Sequence, residues 1–372
     1  MATYLTKKAH NLLALADIQV NGNRPWDIQV HDERFYGRVL SGGSLALGES
    51  YMDGWWDCEA LDELISRILL ADLEHLVAPS FALLASYCVA KVANLQTPSR
   101  SLVVGRVHYD IGNDLYREML DPRLIYTCAY WKDVDTLNAA QEAKLDLICR
   151  KIGLKPGDKV LDIGCGWGGF LKYAAEKYGA TGVGLTISKE QKALADELCK
   201  GLPIEIRFQD YRDTNEKFDH IVSLGMFEHV GLKNYRKYME IAARNLKDDG
   251  FFLLHTIGVN LSKEAGEPWE SKYIFPNSLV PSAKQITAAY EEFLVMEDWH
   301  NFGPYYDKTL MAWFENFDRA WPKIQRSYSE RFYRMWRYYL LSCAGGFRAR
   351  KLQLWQIVFS KNGVPGGYTS IR

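Results

Sequence analysis

The chain has 372 residues, 48% hydrophobic and 24% charged, a balance that excludes a disordered, collagen-like or coiled-coil chain and allows two domains. Its 45 Lys and Arg stand against 46 Asp and Glu, a formal net charge of −1, so no global basic field exists to hold a nucleic acid. No apolar run reaches the roughly 18 residues of a membrane-crossing helix, and no signal-peptide pattern follows the first eight residues. Seven cysteines are scattered without a CxxC pair, which reads as reduced thiols, no metal site and a cytoplasmic chain that meets any membrane from its surface.

In chain order, residues 1–95 read as a small mixed α+β unit. A short helix leads to strand-like pieces at 18–20 and 28–30 and to a glycine-rich stretch at 41–48. Leu61, Leu64, Ile65, Ile68 and Leu69 recur at helical spacing, and Pro79 separates them from a second apolar segment at 81–95. Residues 96–107 open on the polar, Pro98-containing run Gln96 to Arg100 and read as a linker. From 108 to 372 strand-like runs at 159–163, 182–185, 204–208, 220–224 and 251–256 alternate with helical runs that begin near Gly169, Lys189 and Tyr235. Such alternation predicts a Rossmann-like α/β domain with a mostly parallel sheet.

The most informative segment is Lys159 to Phe170, an apolar strand running into Gly164, Cys165, Gly166, Trp167, Gly168 and Gly169 and then a helix. Glycines there let backbone approach a ligand, and the helix start offers free N–H groups. A dinucleotide site wants an acid about 20 residues on, but the next strand end reads Thr186, Ile187, Ser188. Asp162, just before the first glycine, instead gives D-x-G-x-G-x-G, which resembles motif I of S-adenosylmethionine-dependent methyltransferases. An anion there suits a cofactor with an ammonium and a sulfonium. Thr186, Ser188 and Gln191 are candidates to hold its ribose, and Asp210 and Tyr211 to hold its adenine.

The whole pattern resembles the cyclopropane-fatty-acyl-phospholipid synthase family, relatives of the mycolic acid cyclopropane synthases. It rests on Gly48 to Trp56, His108 to Asp114, Cys128 to Trp131, the Asp162 loop, Gly225 to Val230, Leu254 to Gly258 and Gln353 to Gln356. The resemblance implies transfer of a methylene group from S-adenosylmethionine to the cis double bond of a phospholipid acyl chain, closing a cyclopropane ring. It implies bound bicarbonate as the base, held by Cys128, Glu228, His255, Ile257 and Tyr306, with Cys128 and Ile257 serving through backbone groups. Tyr126, Thr127 and the segment 108–110 would cover the cofactor.

A homodimer and peripheral association of residues 1–95 with the bilayer are further expectations. Relatives that methylate without closing a ring, and a lipid binder without catalysis, are the rival readings. Cys343 matches a position regarded as a nucleophile in the family, yet Phe332, Met335, Trp336, Tyr339, Leu340 and Cys343 share one helical face, which favours packing or pocket lining. Trp313, Phe314, Phe317 and Trp336 are candidates to line an acyl pocket. Arg326, Arg331, Arg334, Arg337, Arg348, Arg350 and Lys351 read as a solvated helix face or as a patch for anionic head groups.

Overall fold

The structure, a computed structural model, describes residues 2–73 and 112–372. The apolar segment 81–95, the linker 96–107 and the segment 108–110 lie outside the described residues. Two compact units emerge, and both are discontinuous in sequence: one gathers 2–73, 264–276 and 306–352, the other 112–263, 277–305 and 353–372.

The elements of the first stretch are α1 (Ala2–Leu15), β1 (Gln29–Val30), α2 (Arg34–Met52), β2 (Trp56–Asp57) and α3 (Leu61–Leu70). Then come α4 (Asn113–Met119), α5 (Leu137–Lys151), β3 (Lys159–Ile163), α6 (Gly169–Tyr178), β4 (Thr181–Thr186), α7 (Lys189–Leu198), β5 (Ile204–Phe208), β6 (Phe218–Leu224), α8 (Tyr235–Asn245) and β7 (Leu246–Val259). The last are α9 (Pro268–Tyr273), α10 (Ala283–Tyr290), β8 (Val295–Asn301), α11 (Pro304–Ile324), α12 (Glu330–Arg348) and β9 (Leu352–Ser360).

The larger unit is built on a seven-stranded sheet in the order β5-β4-β3-β6-β7-β9-β8, with β5 to β7 in parallel register and β8 antiparallel to β9. Its strands are apolar on both faces because both are covered. Val160, Val222 and Leu253 point into one core with Leu145, Ile148 and Phe170; Leu161, Ile163 and Leu254 point into the other with Met239, Ile241 and Ile286. Strand order reverses between β4-β3 and β3-β6, and at such a switch point the crossover connections diverge and leave a crevice at the carboxyl ends of the strands.

In the smaller unit the strand content is a two-residue ladder, Gln29 with Asp57 and Val30 with Trp56, plus a bridge from Val20 to Ile28. The glycine-rich stretch is helical: α2 runs through it and breaks only at Gly43, whose φ of +60° a residue with a Cβ rarely adopts.

Arg334, Arg337 and Arg348 of α12 are not a solvated face, because each is bonded to protein groups. Arg334 donates to the carbonyls of Tyr51 (2.6 Å) and Trp56 (2.8 Å), and Arg337 to those of Cys58 (3.1 Å) and Glu59 (2.9 Å) and to the Tyr51 hydroxyl. Arg348 pairs with Asp62 (2.6 Å) and Asp307 (3.0 Å), while the more exposed Arg331 reaches Asp53 (3.2 Å) and Lys351 reaches Asp72 (2.8 Å). Apart from the Arg348–Asp307 pair, which joins α12 to α11, and Lys351, which lies just past α12, these bonds fasten α12 to the N-terminal stretch.

The same seam depends on Gly345, where a Cβ would lie 2.5 Å from the Asp62 carbonyl and 3.0 Å from the Ser66 nitrogen. Backbone on the far side cannot yield as a flexible side chain would. Gly345→Val is therefore expected to destabilise the protein by about 2–3 kcal/mol, read as a lower urea midpoint at unchanged slope.

Candidate active site

The carboxyl ends of β3, β5, β6 and β7 carry the titratable groups. Asp162 is the penultimate residue of β3, and after Ile163 the chain turns through Gly164, Gly166 and Gly168, all at positive φ, into α6. At Gly164 a Cβ would also strike Met226 at 2.7 Å, so two separate constraints demand glycine there. The Asp162 carboxyl is buried and its Oδ1 meets no hydrogen-bond partner among the described residues. Burial pushes its pKa up to about 7, while the charge of Lys144 pulls it down.

Trp167, within the glycine turn, donates from Nε1 to Asn113 Oδ1 at 3.2 Å and packs 5.0 Å from the Tyr116 ring; Tyr116 in turn meets Tyr126 at 5.2 Å. Burial also pushes the Cys165 thiol up.

At the end of β4, Thr186, Ser188 and Gln191 engage one another. The Thr186 hydroxyl donates to Gln191 Oε1 (2.9 Å), Ser188 N–H donates to Thr186 Oγ1 (3.1 Å), and Gln191 N–H donates to Ser188 Oγ (3.2 Å), so Ser188 is the N-cap of α7. After β5 the Asp210 carboxylate accepts from the Arg212 N–H and pairs with its guanidinium, both at 3.0 Å, while the buried Tyr211 ring packs edge-on to Tyr238 at 5.1 Å. These five side chains sit at successive strand ends, as expected, but part of their hydrogen-bonding capacity serves local caps.

The turn after β6 and the end of β7 bring Glu228, His255 and Ile257 together. Glu228 Oε1 accepts from the Ile257 N–H at 2.7 Å, so that backbone donor is spent on orienting the carboxyl. Glu228 Oε2 is buried and meets no hydrogen-bond partner among the described residues. Burial raises Glu228 to about 7, with the Ile257 N–H and the Thr256 hydroxyl drawing it back.

His255 lies two residues before Ile257, with Leu224 of β6 as its cross-strand partner. Gln356 Nε2 stands 3.3 Å from His255 Nδ1, and burial drives the imidazole pKa well below its ordinary value. A neutral ring that accepts at Nδ1 carries its hydrogen on Nε2, and that buried Nε2 meets no partner among the described residues. The rim thus presents one buried acceptor and one buried donor. Cys128 is wholly buried, its Sγ 3.3 Å from the Ala129 carbonyl.

The remaining candidates lie in the other unit. Tyr306, near the start of α11, packs on Phe347 (4.5 Å) and Trp313 (6.0 Å). Trp313, Phe317 and Trp336 are fully buried among aromatic neighbours, Phe314 less so. Cys343 is half-buried and donates to Glu270 Oε1 at 3.4 Å; burial and that carboxyl both raise its pKa well above the ordinary thiol value.

The family profile described as Mycolic acid cyclopropane synthetase matches residues 96–357. The chain is 55% identical over 359 residues to the cyclopropane-fatty-acyl-phospholipid synthase of Escherichia coli (strain K12), covering 96% of this chain and 94% of that protein. The chain belongs to the mycolic acid cyclopropane synthetase family. Solved relatives agree: the cyclopropane synthase MmaA2 from Mycobacterium tuberculosis superimposes with a TM-score of 0.67 at 30% identity, over 72% of this chain and 100% of that one. The mycolic acid cyclopropane synthase CmaA1 complexed with SAH and CTAB gives 0.66 at 33% identity, over 70% and 98%. The chain is accordingly an S-adenosylmethionine-dependent methyltransferase with the α/β fold read from its strand pattern.

Reading motifs alone missed Gln141 and Lys144 of α5, which are buried and bonded to the segment that carries Tyr126, Thr127 and Cys128. A signal was present. Leu137, Gln141, Lys144 and Ile148 recur at helical spacing, which puts a lysine on an apolar face.

Because Glu228 is held at about 7 against an ordinary 4.5, the folded state keeps a proton that the unfolded chain releases. That contribution to stability is present below pH 4.5 and is lost as pH rises through 7. Glu228→Gln, which keeps the acceptor for Ile257, is expected to match the wild type near pH 4.5 and to exceed it by about 3 kcal/mol at about pH 8. Urea unfolding at the two pH values measures the difference.

Proposed function

We propose that the chain transfers a methylene group from S-adenosylmethionine to the cis double bond of an acyl chain carried in a phospholipid, and closes a cyclopropane ring with bicarbonate as the base. The observation that supports the bicarbonate part is a complementary pair of buried atoms without a partner among the described residues, the Glu228 Oε2 acceptor and the His255 Nε2–H donor. Bicarbonate has one hydroxyl to donate and two oxygens that accept, so this donor set fits it. The near-complete match to a synthase named for phospholipid acyl chains supports the substrate class.

In the chemistry this implies, the alkene π pair attacks the methyl carbon and the carbon–sulfur pair leaves with sulfur. A proton then departs from the added methyl, and its C–H pair closes the ring. Bicarbonate, when bound, supplies the base for that proton. Glu228 accepts from the ligand hydroxyl through Oε2, the Ile257 N–H fixes Glu228 through Oε1, and His255 donates through Nε2 while Gln356 fixes its tautomer. Asp162 and the glycine loop take the methionine end of S-adenosylmethionine, with Tyr126 and Thr127 beside it, Thr186 and Gln191 toward the ribose and Asp210 and Tyr211 toward the adenine. The acyl chain lies within one leaflet, and no described helix is long and apolar enough to cross a membrane, so the reaction is read as occurring at a bilayer surface.

The test is to incubate purified protein with methyl-labelled S-adenosylmethionine and vesicles of a cis-monounsaturated phospholipid, then to analyse the released fatty acids by mass spectrometry and NMR. A labelled ring is expected; a labelled open-chain product would overturn ring closure. Glu228→Ala is expected to bind S-adenosylhomocysteine within a few-fold of wild type while turnover falls by about 100-fold or more. Cys343→Ser is expected to retain turnover within a few-fold, since no step needs a covalent link to the enzyme; an inactive but folded and cofactor-binding variant would refute that.

A further inference from the structure

Helix α5 directs two buried polar side chains, one turn apart, at the segment between α4 and α5. Lys144 Nζ donates to Thr127 Oγ1 at 2.8 Å, and Gln141 Nε2 donates to the Thr127 carbonyl at 2.9 Å. Asp121 pins the start of this segment by accepting from the Arg123 N–H (3.0 Å) and the Ile125 N–H (2.9 Å). The segment is wedged on both sides. A Cβ on Gly169, at the start of α6, would meet the Arg123 carbonyl at 2.4 Å, and one on Gly225, after β6, would meet Thr127 Cγ2 at 2.7 Å.

Lys144 is completely buried, and an ammonium shut away from water persists only beside anions. The titratable groups facing it are Asp121 and Cys128 of the segment, Asp162 of β3 and His255 of β7. Those facing Asp162 are Lys144, the Cys165 thiol of the glycine turn and the Tyr238 hydroxyl of α8. Among the described residues Lys144 is the one cation in that group.

We propose that Lys144 is a positioning residue for cofactor binding, whose ammonium ties down Thr127 and supplies the counter-charge to Asp162. It acts through these two groups and not by touching the cofactor. This rests on the reading of Asp162 as the carboxylate for the methionine end.

The electrostatics fix the signature. Burial holds Lys144 at about 8, offset first by the charge of Asp121 and then by Cys128 and Asp162, and holds Asp162 at about 7, offset by the charge of Lys144. Without the ammonium, Asp162 titrates higher and is protonated near neutrality. Well below pH 7 it is protonated in both proteins; well above pH 8 Lys144 is neutral in the wild type and Asp162 is ionised in the variant. The affinity ratio between wild type and variant therefore peaks between the two values and shrinks on both sides.

The experiment measures S-adenosylhomocysteine binding by calorimetry from about pH 5.5 to about pH 9.5 for the wild type, Lys144→Met and Lys144→Gln. The Gln variant keeps a donor for Thr127 but no charge, and it carries the test if the Met variant does not fold. About tenfold weaker binding is expected between pH 7 and 8, falling below about threefold at either end. A pH-independent loss, or a loss in Lys144→Met that Lys144→Gln does not share, would overturn the counter-charge role. An Asp162→Asn variant separates the two readings: if it binds as tightly as the wild type, the assignment of Asp162 fails and the proposal with it; if it binds weakly while the Lys144 profiles match the wild type, the proposal alone fails.

Discussion

Everything at the rim of the sheet depends on ionisable groups shut away from water. Asp162, Glu228, Lys144 and His255 are all buried, and burial pushes each toward its neutral form. Removing one ion from water costs several kcal/mol even after relaxation, unless partners restore what hydration supplied. Here the restoration is partial: the Ile257 N–H serves one oxygen of Glu228, and the charge of Lys144 serves Asp162. Among the described residues, nothing bonds to one carboxylate oxygen of Asp162, one of Glu228 or one ring nitrogen of His255. A ligand that supplies an ammonium at the first, and one that both donates and accepts at the other two, would complete these groups.

The parallel sheet makes that arrangement possible. Asp162, Glu228, His255 and Gln356 span nearly 200 positions of sequence, yet three adjacent parallel strands and one further strand deliver them to one region. Both faces of the sheet are packed with aliphatic and aromatic side chains, so the strands have little freedom to slide and the polar groups inherit that rigidity. The glycine turn after β3 works by the same logic. Positive φ at Gly164, Gly166 and Gly168 is compatible with no bulkier choice at low strain, so the turn that exposes the α6 start is dictated by backbone conformation.

How much of this was legible in sequence follows from the range of the interactions. β3 matches its expected span of 159–163, β5 that of 204–208, and the glycine turn and α6 follow directly, because strand pattern and turn chemistry are local. The arginines of α12 were not legible: charge along a helix looks solvated until its partners are known, and those of Arg337 lie 278 to 286 positions away. Ser188 and Asp210 show the opposite difficulty. They stand where a ligand-binding residue would, but the N–H groups of helix starts claim their oxygens first. The glycine-rich stretch at 41–48 falls within α2, where only Gly43 uses the freedom that glycine offers.

Cys343 illustrates how environment decides between two roles for one side chain. A sulfur nucleophile acts as thiolate, and thiolates are favoured by nearby cations, helix N-termini or metals. The thiol here donates to Glu270, with Glu267 also nearby, so deprotonation would place a second negative charge against a carboxylate in a poorly solvated position. The same hydrogen bond that holds the thiol in place therefore suppresses its reactivity.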